Sequence, residues 1–141
     1  MQLKHILVPI DFSEQSARAL RDADELASTR EGDLTLLHVH PISMVAVMDF
    51  TYVEAPADVA RLTEAAEAHL RQRASDLKTP AARVTVEVVT GDPVTEIIRR
   101  SESFDLIVMG THGRTALSRL LMGSVAERVV RGAHCSVMVV R

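Results

Sequence analysis

The chain has 141 residues, enough for one domain (1–141) with its own core and no need of disulfide or metal staples. Its 47% apolar and 25% charged residues are the composition of a globular protein. A net charge of −3, four aromatic residues and no Trp argue against a nucleic-acid binder, which shows a basic footprint or stacking platforms.

Met1 to His5 carries no secretory cleavage pattern and leads into the apolar run His5-Ile6-Leu7-Val8-Pro9-Ile10. An unbroken run of this length reads as a strand buried on both faces, as in a parallel sheet. Residues 14 to about 30 place Ala17, Leu20, Ala23 and Ala27 at helical spacing, and Gly32-Asp33 is expected to stop that helix. Leu34 to Val39 is a second buried strand, closed by Pro41. The connection from Pro41 to about Ala57 is expected to be a long loop, either a lid over a ligand, a mobile insertion or a partner-contact segment. A second helix is expected over 58–78, with Val59, Leu62, Ala66, Leu70 and Leu77 near one face.

Arg83 to Val89 alternates as a half-exposed strand and is expected near a sheet edge. Asp92-Pro93 is a helix start, with Asp92 as N-cap and Pro93 at the first helical position. Asp105 to Met109 is a fourth strand, 124–132 a short helix, and Ser136 to Val140 a fifth strand. Such alternation implies an α/β fold, an open five-stranded parallel sheet with helices on both faces. Ligands then bind beyond the carboxyl ends of the strands, where the strand order reverses. No apolar run approaches the roughly 18 residues of a spanning helix, so no membrane insertion is expected and the cytoplasm is the expected compartment. Cys135 is the single cysteine, which excludes an intrachain disulfide; it reads as a small hydrophobe at a strand entrance.

Three of the six glycines, Gly110, Gly113 and Gly123, fall in the stretch after the fourth strand, which reads G-x2-G-x9-G-S. A shuffled chain of this composition gives G-x2-G-x9-G-(S/T) on the order of once in a thousand. Glycines let backbone N–H groups approach a phosphate, and the following helix N-terminus supplies free N–H groups and a favourable dipole. Ser124 adds a hydroxyl there, as a cap or as a phosphate donor. The bland alternative is a structural loop whose glycines only make turns. The P-loop pattern GxxxxGK(S/T) is absent, and Pro9-Ile10-Asp11-Phe12-Ser13 stands where a dinucleotide fold carries GxGxxG. Asp11 there can accept from a ribose hydroxyl, help hold a metal, or cap the helix, for which Ser13 is the more natural residue. Residues 105–141 carry a net +3 and the preceding 104 residues −6. Arg114 lies inside the glycine loop, and His112 lies between its first two glycines, within possible reach of a phosphate. His38 and His40 share one strand face, but a metal site would need further ligands.

These features resemble the universal stress protein family over essentially the whole chain. The matching segments are Val8-Pro9-Ile10-Asp11-Phe12-Ser13, His38-Val39, Asp105-Leu106-Ile107-Val108-Met109-Gly110, the glycine loop, and Cys135 to Val140. Ser136 departs from the family, which commonly has Pro there. The resemblance implies a Rossmann-like sheet of the adenine nucleotide alpha hydrolase type, with strand order 3-2-1-4-5. It implies the ATP-binding subclass, with Asp11 on the nucleoside, Val39 at adenine, and Gly110, Gly113, Gly123, Ser124 and Val125 around the phosphates. Pro9, Met109, His112 and Arg114 complete the expected site, at the carboxyl ends of strands one, two and four.

The expected ligand is ATP, with or without Mg²⁺. AMP or cyclic AMP in the same pocket, or a protein–protein adaptor indifferent to nucleotides, are the alternatives. Asp11, His112 and Arg114 form no recognisable set for fast phosphoryl transfer. Family resemblance allows at most slow hydrolysis or autophosphorylation, with Thr111 or Ser124 as the near hydroxyls. It further implies a homodimer through the C-terminal strand, whose Val137 to Val140 run is apolar at a sheet edge.

Overall fold

The computed structural model describes residues 3–42, 44–47, 50–53, 56–112 and 121–141, with 44–47 and 50–53 described by backbone alone. In chain order the elements are β1 (His5–Pro9), α1 (Glu14–Arg30), β2 (Asp33–His40), β3 (Met44–Val47), β4 (Phe50–Val53), α2 (Pro56–Ser75), β5 (Val84–Thr90), α3 (Pro93–Arg100), β6 (Leu106–Gly110), α4 (Ser124–Gly132) and β7 (Ser136–Val140). Five strands form one all-parallel sheet in the order β5-β2-β1-β6-β7, which is 3-2-1-4-5 when these five alone are counted.

Strand pleating sorts the apolar residues of β1 onto two faces. Ile6, Val8 and Ile10 join Leu34, Leu36, Leu106 and Val108 under α1 and α2. Leu7 joins Leu37, Val39, Ile107 and Met109 under α3 and α4. Ala19, Ala23 and Ala27 recur every fourth residue on α1 and are fully buried, so the helix lies close to the sheet. From α3 and α4, Val94, Ile97, Ala126 and Val129 cover the other face. Each fully buried Leu or Ile contributes about 1.5–3 kcal/mol relative to exposure.

Helix boundaries follow local chemistry. Ser13 caps α1 by accepting from Ser16 N–H, and Asp92 caps α3 by accepting from Thr95 N–H with Pro93 behind it. α1 ends at Arg30, just before the expected stop at Gly32-Asp33. Glu31, not Gly32, takes the left-handed conformation (φ 54°), with its N–H on Ala27 O. Gly32 has another reason: a Cβ there would lie 2.8 Å from Leu3 O, where the chain enters the sheet.

Two expectations need correction. Residues 41–57 contain an antiparallel ribbon, β3 on β4, with Val47 opposite Phe50. Its sequence lacks the Asn-Gly or Asp-Gly that marks a tight hairpin. The second helix runs Pro56–Ser75 rather than 58–78, and of its described residues only Leu70 is buried, while Leu62 is 44% exposed. Leu77 lies beyond the helix and packs on the core from the following turn. Tertiary structure, not helical spacing, selected which apolar positions of α2 meet the sheet.

Candidate functional site

Strand order reverses between β1 and β6: the chain moves outward through β2 and β5, then returns to the other side of β1. Beyond the carboxyl ends there, a cleft of about 660 Å³ opens. That is the size of a small-molecule site. Nine of the eleven expected site residues line it: Pro9 and Asp11 from the end of β1, Val39 from β2, Met109 and Gly110 from β6, His112 from the loop, and Gly123, Ser124 and Val125 from the start of α4. Gly113 and Arg114 lie outside the described residues.

The turn after β1 is held from several sides. Ile10 N–H donates to Leu37 O at 2.8 Å, and His38 Nδ1 donates to Ile10 O at 2.7 Å. Asp11 Oδ1 accepts from Ser13 N–H at 2.9 Å and from the Ser13 hydroxyl. Ser13 therefore both caps α1 and steadies Asp11, rather than leaving that carboxylate free of the turn. Between them Phe12 has φ 64°, the left-handed region. For a bulky L-residue this costs about 1–2 kcal/mol, offset by surrounding contacts.

The loop after β6 is pinned at its base. Thr111 N–H donates to Val140 O at 2.9 Å, and Gly123 N–H donates to Thr111 O at 2.7 Å. The described structure supplies a reason for two glycines beyond approach to a phosphate. A Cβ on Gly110 would lie 2.7 Å from Gln15 Cβ on α1, and one on Gly123 would lie 2.9 Å from Thr111 O. Both positions are dictated by close approach of the protein to itself.

Ser124 is the first helical residue of α4, not its cap. Gly123 occupies the cap position and supplies no side-chain hydrogen bond. Among the described residues no side chain caps the first N–H groups of α4 as Ser13 caps α1 and Asp92 caps α3. Those N–H groups carry the positive end of the helix dipole at the cleft. His112 Nδ1 lies 3.1 Å from Thr111 Oγ1 on the same rim. The Asp92 carboxyl, beside cleft residue Pro93, is held below the ordinary aspartate value by the Thr95 hydroxyl and N–H, with Arg128 adding attraction.

Sequence reasoning missed part of the wall. Leu37, Pro41, Pro93, Ile97, Leu121 and Met122 make much of the lining apolar. Pro93 and Ile97 had a usable signal, since α3 starts directly after a parallel strand and so begins at the crevice end. Leu121, 70% exposed, had none. Among the described residues no group of three His, Cys, Asp or Glu could hold a metal ion. Cys135 lies away from the cleft, partly buried against the core under α3 and α4. Burial, with the Asp105 charge, pushes its thiol above the ordinary value.

Comparison with known proteins agrees with this architecture. Residues 2–141 match the Universal stress protein family. A universal stress protein of Methanocaldococcus jannaschii is 34% identical, over 98% of this chain and 82% of the relative. Universal stress protein YxiE of Bacillus subtilis is 30% identical over 96% of this chain and 97% of its own. Among solved structures, universal stress protein UspA from Lactobacillus plantarum superposes with a TM-score of 0.80 at 29% identity, covering 100% of this chain and 99% of that one. A parallel sheet in this order, the cleft at its switch point and these likenesses together show that the chain belongs to the universal stress protein family.

Proposed function

We propose that this chain is an ATP-binding regulatory protein of the stress response, acting in the cytoplasm as a single 1–141 domain. The observation that carries the reading is the convergence on one cleft of Asp11, Val39, Gly110 and the start of α4, which lies more than a hundred positions beyond Asp11 in the chain. The nucleoside lies along β1 and β2, with Asp11 accepting from the ribose and Val39 beside adenine. The phosphates lie toward Gly110, His112, Gly123 and the N–H groups of Ser124 and Val125, where backbone donors and the helix dipole favour an anion. Gly113 and Arg114 are assigned to the same phosphate site. Among the described lining residues Asp11 is the one carboxylate, so a bound Mg²⁺ would draw its ligands chiefly from phosphate oxygens and water.

Universal stress proteins solved with cAMP (22% identical, TM-score 0.74) and, from Archaeoglobus fulgidus, with dAMP (21%, 0.62) share the fold. AMP or cyclic AMP therefore stands as the second reading of the same pocket. Calorimetric titration of the whole chain with ATP, AMP and cyclic AMP tests both. ATP as the tightest ligand supports the first reading and a monophosphate the second. No binding of any of the three overturns both and leaves the nucleotide-indifferent adaptor.

The sheet ends in β7 on one side, and among the described residues no further strand pairs with its outer edge. Two-fold pairing of β7 would satisfy its open N–H and C=O groups, and we propose a homodimer built this way. Light scattering should give twice 15.5 kDa; a monomer mass overturns it.

A further inference from the structure

We propose that Phe12 is a positioning residue for the nucleoside, holding the left-handed turn that keeps the Asp11 carboxylate in the cleft. The inference rests on the nucleotide reading above and adds a residue that does not itself line the cleft.

The argument starts from cost. Phe12 at φ 64° occupies a region that glycine enters freely and asparagine with little strain. A turn alone gives no reason for a phenylalanine, so the ring must supply what holds it there. The ring is gripped from two elements. Its centroid lies 4.7 Å from that of His38 on β2, tilted by 43°, and 5.4 Å from that of His69 on α2, edge-on at 62°. It also packs against the core cluster under α1 and α2. Tilted and edge-on pairs at these distances are attractive geometries for aromatic rings.

His38 acts twice. The same imidazole that meets the Phe12 ring donates from Nδ1 to Ile10 O. Asp11 is thus flanked in the chain by one residue whose carbonyl His38 holds and another whose ring His38 meets. Phe12 faces the α1 and α2 side of the sheet, and Asp11 lines the cleft. Loosening the ring lets the turn relax toward ordinary backbone angles and swings the carboxylate. Through His69 the grip reaches α2, the helix that follows the β3–β4 ribbon, so the nucleoside contact is tied to an element outside the cleft.

A double-mutant cycle on the full chain, read by calorimetric titration with AMP, tests this. Phe12→Gly should weaken AMP about tenfold in the unmodified chain and less than about twofold in an Asp11→Ala background, because the lost effect runs through that carboxylate. Exposed His69, replaced as His69→Ala, should weaken AMP by about two- to threefold and likewise lose its effect beside Asp11→Ala. Where circular dichroism shows that Phe12→Gly does not fold, Phe12→Leu and His69→Ala carry the same cycle. Equal losses in both backgrounds, or no loss, overturn the positioning role alone. An Asp11→Ala variant that binds AMP as tightly as the unmodified chain overturns the ribose contact itself and the proposal with it.

Discussion

At the amino ends of the sheet, the Asp105 carboxylate accepts from the N–H groups of Lys4 and His5, both at 2.9 Å, while Asp105 N–H donates to His5 O. Asp33 N–H donates to Lys4 O, and its carboxylate stands 3.5 Å from His5 Nδ1. Away from the cleft, buried Asp24 on α1 accepts from Lys78 N–H, Thr79 N–H and the Thr79 hydroxyl, tying α1 to the segment before β5. At the carboxyl ends the economy is reversed. Asp11 accepts only from Ser13 in its own turn among the described residues, and the first turn of α4 has no side-chain cap. Carboxylates at the first region hold distant segments together, whereas at the cleft the Asp11 carboxylate holds only its own turn.

Replacing these carboxylates, and Gly110 beside the cleft, one at a time should break that contrast unequally. Asp24→Ala carries the largest expected effect. It strands two backbone donors and a hydroxyl in a buried place, and should lower unfolding free energy by about 3 kcal/mol in urea denaturation. A loss below about 1 kcal/mol would show that water replaces the carboxylate there. Gly110→Ala should come next, at about 2 kcal/mol, since the new Cβ meets Gln15 Cβ at 2.7 Å and its carbonyl carbon at 3.0 Å. An unchanged midpoint would mean that α1 and β6 can part without cost.

Asp105→Ala should cost about 1 kcal/mol, less than Asp24→Ala because water reaches the stranded donors. Acid should act on the same two groups. Burial works to raise the Asp24 carboxyl, but the hydrogen bonds from Lys78 and Thr79 outweigh it, leaving it below the ordinary 3.8. Hydrogen bonds from His5 and Lys4 lower Asp105 likewise. With folded values depressed, their stabilisation is full above the unfolded value and is lost as pH falls through the folded ones. The melting temperature should therefore be insensitive to these groups from about pH 7 to 5 and should fall below about pH 4. That acid slope should be shallower in Asp24→Asn; an equal slope would assign acid sensitivity elsewhere. Asp11→Ala should move stability least, by under about 1 kcal/mol, since only its own turn depends on it. A melting temperature shifted as far as by Asp24→Ala would erase the distinction between the two ends.

Much of the fold was legible because buried parallel strands have few sequence disguises. His5 to Ile10, Leu34 to Val39 and Leu106 to Met109 are apolar on both faces, and their helices carry recognisable starts at Ser13 and Asp92. The β3–β4 ribbon was not legible, since β-forming residues without a turn dipeptide look like a loop. Nor was the depth of α2, whose apolar residues outnumber those that find a place on the sheet. For the cleft, the glycine spacing and the Asp after β1 pointed to the end of the sheet where the cleft opens. Pro93 and Ile97 carried a signal in the helix start that follows a parallel strand, but Leu121 and Met122 did not announce themselves, because they meet the other lining residues only after the strands are ordered.

Sequence by itself determined the parallel class of the sheet, the starts of α1 and α3, and the end of the molecule where the glycines gather. These are local properties, set by side-chain period and capping chemistry within a few residues. Tertiary structure decided why the glycines are needed, since Gly110 answers to Gln15 and Gly123 to Thr111 O. It also decided that Ser124 begins α4 instead of capping it, and that Asp11 rests on Ser13 beside a left-handed Phe12. The physical reason is close packing. Whether a Cβ fits, or a carboxylate keeps a lone pair for a ligand, depends on atoms from segments far away in the chain, and only the assembled sheet brings them within contact.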